Sequence, residues 1–109
     1  MATVYKVLGQ SIPAANTLTT AYTVPAASSA VVSTIVAANL GSAPTTYRIA
    51  VRPAGAAIAN QHYIIFDSSI APQDTVTLTM GITLAATDVI SVESFNGLVS
   101  FNVFGSEIG

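Results

Sequence analysis

There is no cysteine in the chain, so disulfide frameworks, thiolate zinc sites and cysteine nucleophiles are excluded at once. Tryptophan is absent too, which removes the largest ring a sugar-stacking platform could use. Charge is the next shortage. Only 7% of the 109 residues are charged, against about 25% in an ordinary soluble domain. Three Lys and Arg stand against five Asp and Glu, for a net charge of -2. Such a chain does not build the clustered basic footprint that nucleic acid requires. Long apolar runs are missing as well. A membrane-spanning helix needs about 20 consecutive apolar residues, whereas the run from Ala30 to Ala38 is shorter and broken by Ser33 and Thr34. The start, MATVYKVLGQSIP, carries a single lysine and then two apolar residues before Gly9, so neither a secretory signal nor a membrane anchor is expected.

What the chain does have is alternation. Mean hydropathy is +0.64, and 51% of the residues are hydrophobic, which argues against disorder. Tyr47, Ile49 and Val51 alternate with Thr46, Arg48, Ala50 and Arg52. Thr75, Thr77 and Thr79 alternate with Val76, Leu78 and Met80, and Val99, Phe101 and Val103 with Ser100 and Asn102. A period of two places successive side chains on opposite faces of a sheet. Pro25 to Ser28, Gly41 to Pro44, Pro53 to Gly55 and Ala71 to Asp74 punctuate these segments. Asn96-Gly97 has the composition of a type I′ hairpin turn.

The reading is eight strands: Val4 to Leu8, Leu18 to Val24, Ala30 to Asn39, Thr45 to Arg52, His62 to Asp67, Thr75 to Met80, Val89 to Phe95 and Leu98 to Phe104. Spacing of roughly 8–12 residues belongs to sandwiches and barrels. The expected fold is therefore all-β, one antiparallel β-sandwich of about eight strands spanning residues 1–109, jelly-roll-like, with an immunoglobulin-like order as the alternative. Ala54 to Asn60 is expected to be a loop or a single turn, and Thr83 to Thr87 a connection. The expected core is Val32, Val36, Tyr47, Ile49, Val51, Val76, Leu78, Met80, Val92, Val99, Phe101 and Val103.

Catalytic and ligand constellations are thin. His62 is the only histidine, and Asp67 lies an odd number of residues away, which turns the two to opposite faces of one strand. No serine sits in a Gly-x-Ser-x-Gly elbow. Asp67, Asp74, Asp88 and Glu93 are not clustered as a calcium loop or a paired-carboxylate site requires. Asp74 and Asp88 precede strands, where they suit turns that bond their own backbone. Arg48 and Arg52 share a strand face about 13 Å apart at ~3.3 Å per residue, too far for a joint phosphate clamp, and are expected to pair with acids on neighbouring strands or subunits. Tyr5, Tyr22, Tyr47 and Tyr63 are the residues a sugar platform would draw on, but Tyr47 alternates with core residues and Tyr63 shares its face with Ile65. No enzyme activity, cofactor, metal, nucleic acid or membrane is expected.

Lys6 and Arg48 are consecutive charged residues, so positions 7 to 47 carry none. Exposed β-surface ordinarily uses charge against edge-to-edge pairing, and interface cores are depleted in it. This span, with residues 1–13 as an amino-terminal arm, reads as contact surface. The interface candidates are Val4 and Tyr5 in the arm, Ser33 and Thr34 in the charge-free strand, Arg48 and Arg52, and His62, Ile64 and Phe66 on an apolar outer face. A homo-oligomer, foremost a trimer, is expected.

The stretches RIAVRPAGA, HYIIFD followed by IAPQDT, and FNVFGSEI, within a pattern running from about Val7 onward, resemble small virion structural proteins of tailed bacteriophages, including phages of cyanobacteria. The resemblance implies a β-sandwich displayed on the capsid, neck or tail, with no catalytic residues to carry over. It implies virion partners, either the major capsid protein or neck and tail proteins, and assembly in the host cytoplasm. The expectation is a capsid decoration or cement protein. A neck, tail or baseplate component is the alternative position, and a carbohydrate-binding recognition module is the alternative of another class.

Overall fold

Each alternating segment becomes a strand in the computed structural model, which describes residues 2–109. The strands are β1 (Thr3–Ser11), β2 (Thr19–Thr23), β3 (Ser29–Asn39), β4 (Thr45–Arg52), β5 (Tyr63–Ile70), β6 (Thr75–Leu78), β7 (Ile82–Leu84), β8 (Val89–Ser94) and β9 (Val99–Ile108). The segment after β4, expected to be a loop or a single turn, contains two single 3-10 turns, Pro53–Gly55 and Asn60–His62, so His62 lies in a turn and not, as expected, on the strand that begins at Tyr63.

Two antiparallel sheets result. Sheet A runs β1-β9-β3-β6, with β7 also paired to β3, and sheet B runs β2-β8-β4-β5. From β1 to β4 the chain changes sheet at every connection. This is the jelly-roll order. An immunoglobulin sandwich keeps its first two strands in one sheet, whereas here β1 and β2 lie in different sheets. The fold is an all-β sandwich, and within that class the strand order decides between the two expected topologies.

Four local expectations change. The threonine strand ends at Leu78, and Gly81 at φ +62° breaks it from β7, so the count is nine. Met80 falls in that break and is 42% exposed rather than core. Asn96-Gly97 does not close a hairpin, because β8 belongs to sheet B and β9 to sheet A. It turns a corner between sheets instead: Gly97 adopts φ +70° and lies against the Ala15 backbone, where a Cβ would sit 2.8 Å from the amide nitrogen. Residues 3–11, read as part of an arm, pair antiparallel with β9 of the same chain as an edge strand.

The core lies between the inner faces, and Phe101, Ile35, Ile49, Ile70 and Ile90 are its largest fully buried side chains. Of the expected core, Val32, Tyr47, Ile49, Val92, Val99, Phe101 and Val103 are buried, whereas Val36, Val51, Val76 and Leu78 are only half-buried. Val36 has a specific cause. The register of β3 on β9 shifts between Val32 and Thr34, and the extra residue of a bulge reverses the alternation beyond it. Val32 therefore faces inward with Ile35 and Ala37, and Val36 faces out. Gly105 on β9 lies opposite this irregularity, where a Cβ would collide with the Val31 carbonyl oxygen.

Candidate functional site

The two outer faces differ in charge. Lys6 and Glu107 are the only charged residues in the strands of sheet A. Both alternate onto the inner side, since Val4 pairs with Glu107 and Lys6 with Gly105. There Lys6 Nζ lies 2.7 Å from Glu107 Oε1, and the Tyr22 hydroxyl donates to Glu107 Oε2 at 2.6 Å. Lys6 and then Tyr22 hold the Glu107 carboxyl below its usual range. Burial, followed by the adjacent carboxylate, pushes the Tyr22 hydroxyl well above its ordinary value. Because Tyr22 stands on β2, this trio ties sheet B to sheet A.

The outward positions of sheet A carry no charge. Tyr5 is 84% exposed and Val7 48%, and they lie beside Phe104, Val31 and Ser33 in a shallow depression. Thr34, Val36, Thr77 and Asn102 continue the face across β3, β6 and β9. Gln10 Nε2 donates to Asn102 Oδ1 at 2.7 Å across the β1–β9 pair. Three long strands about 4.8 Å apart, with the short β6 and β7 sharing the far side of β3, give a face of roughly 600 Å², approaching the ~800 Å² each partner contributes to a standard interface. Ser33 and Thr34, adjacent in sequence, both belong to this face, because Ser33 is the bulged residue and its Oγ donates to the Phe104 carbonyl at 3.2 Å.

Sheet B gathers charge. Arg48 on β4 is flanked by Asp67 on β5 and Glu93 on β8. Its Nε and Nη2 donate to the two carboxylate oxygens of Asp67 at 2.7 and 3.2 Å, and Nη1 lies 4.0 Å from Glu93 Oε1. The guanidinium lies 4.0 Å from the centre of the Phe66 ring and 5.9 Å from that of Tyr63. Asp67 has φ +54° at a register shift in the β4–β5 pair. A second shift in the same pair, between Ile65 and Tyr63, takes Tyr63 off the Ile65 face, and its ring meets Phe66 edge-on at 5.0 Å. Hydrogen bonding to Arg48 lowers the Asp67 carboxyl pKa and raises that of the guanidinium. Because the pair is solvent-exposed, water screens it and it contributes little to stability.

Arg48 thus meets the expectation of acids on neighbouring strands. Arg52 does not: its guanidinium donates to the carbonyls of Ala56 at 2.7 Å and Gly55 at 3.1 Å and to Ser91 Oγ at 3.1 Å, pinning the segment after β4 to the sheet. His62 Nδ1 accepts the Ala59 N–H at 3.1 Å within its own turn. Ile64 and Phe66 are exposed at 38% and 57%, and Val4 at 50%. Asp74 accepts from the Thr75 amide at 2.8 Å, and Asp88 from the Ala54 and Ala85 amides at 2.9 Å each. Among the described residues no three His, Asp or Glu side chains come together as a metal site.

Asn39 is a functional residue of the scaffold that the strand pattern does not single out. Its amide is 1% exposed and joins three loops. Nδ2 donates to the carbonyls of Ala43, Ile70 and Ala71 at 2.9, 3.3 and 3.2 Å. Oδ1 accepts from the Gly41 amide at 2.9 Å and from Asn96 Nδ2 at 3.2 Å.

No protein-family model, curated protein or solved structure matches the chain.

Proposed function

We propose that this chain is a structural protein of a tailed-phage virion, a capsid decoration protein that docks on its neighbours through the outer face of sheet A. The observation carrying the reading is that this face has no charged side chain from β1 to β6. Interface cores are depleted in charge, and exposed sheet is ordinarily protected by it. Jelly rolls serve in viral capsids, lectins and cupins, so the fold by itself does not choose among these roles. The likeness of RIAVRPAGA and FNVFGSEI to phage virion proteins supports the first.

Sugar recognition would call on the exposed aromatics of sheet B, but Arg48 already lies against the Phe66 ring. Oligomers in particles adopt the local symmetry of their site, so the proposed assembly is a homotrimer at three-fold positions, with the major capsid protein as partner.

Copy number per purified particle, measured by quantitative gel and mass spectrometry, tests the position. Decoration predicts a number on the order of the capsid subunits. A small multiple of three or six moves the protein to the neck or tail, and absence from particles overturns the reading.

A further inference from the structure

The outer side of sheet B holds a cleft that the docking face of sheet A leaves unexplained. Its volume is about 110 Å³, and Arg48, Asp67, Glu93, Asn16 and Phe95 are among the residues lining it. We infer that this cleft receives the side-chain head of a lysine or arginine from a partner protein.

Size is the first argument. Small-molecule sites occupy about 300–1,000 Å³, and even benzene fills a cavity of about 150 Å³. The cleft is half-open and shallow, of a size that an ammonium or guanidinium head fills and that encloses little of a pyranose ring.

Charge is the second. The cleft contains one guanidinium and two carboxylates. Arg48 is committed to Asp67 through two hydrogen bonds and to Phe66 through its ring face. Glu93 is left with a guanidinium nitrogen at 4.0 Å, beyond hydrogen-bond distance, although its side chain is only 16% exposed. A half-buried carboxylate without a donor favours an incoming cation. Phe95, 66% exposed beside it, offers a ring to the same cation or its alkyl stem.

The third argument fixes the source. Each basic side chain of this protein is already engaged: Lys6 with Glu107, Arg48 with Asp67, and Arg52 with backbone carbonyls. A second copy therefore has no free lysine or arginine to offer, and the occupant belongs to a different protein. This inference stands on the cleft alone and does not depend on the virion reading.

The test is an NMR titration of the ¹⁵N-labelled protein with butylammonium and ethylguanidinium chlorides at constant ionic strength. Butanol serves as the neutral isostere and methyl glucoside as the sugar. Saturable shifts confined to the amides of Thr46, Arg48, Glu93 and Phe95 are expected with both cations, with butanol weaker by at least about fivefold. Glu93→Gln, which keeps the shape, should weaken the cations by a similar factor while leaving the rest of the spectrum in place. Phe95→Ala, at an exposed position, should weaken them about two- to threefold. Equal response to butanol, unchanged binding in both variants, no saturable response to either cation, or saturation by the glucoside instead would each overturn the inference.

Discussion

Truncating Phe101 to alanine should cost about 3–5 kcal/mol, the range for emptying an aromatic core site. The ring is fully buried, and β9 places it centrally in sheet A, paired to Ser11 on β1 and Ala37 on β3. Across the sandwich its centroid lies 6.1 Å from that of Tyr47 on β4, at 51°. The partners are held by two different sheets, so collapse into the void would have to move a whole sheet. Phe101→Leu fills much of the same space and should cost about 1–2 kcal/mol. Chemical denaturation of the three proteins measures both differences. A loss below about 1 kcal/mol for the alanine variant would show that the two sheets do not pack on this ring as described.

Asn39→Ala should cost about 3 kcal/mol, through hydrogen bonding rather than volume. The buried Gly41 amide loses its acceptor, and the carbonyls of Ala43, Ile70 and Ala71 lose a shared donor. Buried polar groups left without partners cost about 1–3 kcal/mol each, less where water enters. Asn39→Asp separates shape from chemistry. It keeps an acceptor for Gly41 but turns a carboxylate oxygen toward three carbonyls, so at neutral pH it should be no better tolerated than alanine. Urea denaturation of both variants tests this, and a near-neutral aspartate would contradict the geometry. Because Asn39 fastens the loops at one end of the sandwich, proteolysis of the alanine variant should begin in 40–44 or 95–98.

The alternation of apolar and polar residues, as in TYRIAVR and VSFNVF, made the strands and the sandwich legible in the sequence. It could not place the bulges. One extra residue near Ser33 put Val36 on the outside, and the shift between Ile65 and Tyr63 put Tyr63 beside Phe66. Bulges depend on the partner strand, which local pattern does not encode. Asn96-Gly97 fails as a hairpin signal for the same reason: the residues suit a tight turn, but sheet membership is decided by long-range pairing. Asn39 was invisible as a hub because only its turn with Gly41 and Ala43 is local, whereas Ile70, Ala71 and Asn96 are distant in sequence. The scarcity of charge, in contrast, was readable at once, and the fold gives it a location, the outer face of sheet A.

That location is the central claim, and incorporation of Thr34→Lys into particles tests it most directly. Thr34 faces outward on β3, opposite Phe104. In the isolated protein the lysine is solvated, so stability should stay within about 0.5 kcal/mol of wild type. Within a docked interface the same ammonium would be desolvated without a partner, at a cost of several kcal/mol. Wild type and Thr34→Lys supplied together during assembly should therefore give particles in which the wild-type chain predominates by tenfold or more, on the order of 1.4 kcal/mol per decade. Equal incorporation of a stably folded Thr34→Lys chain would contradict the assignment of this face to docking.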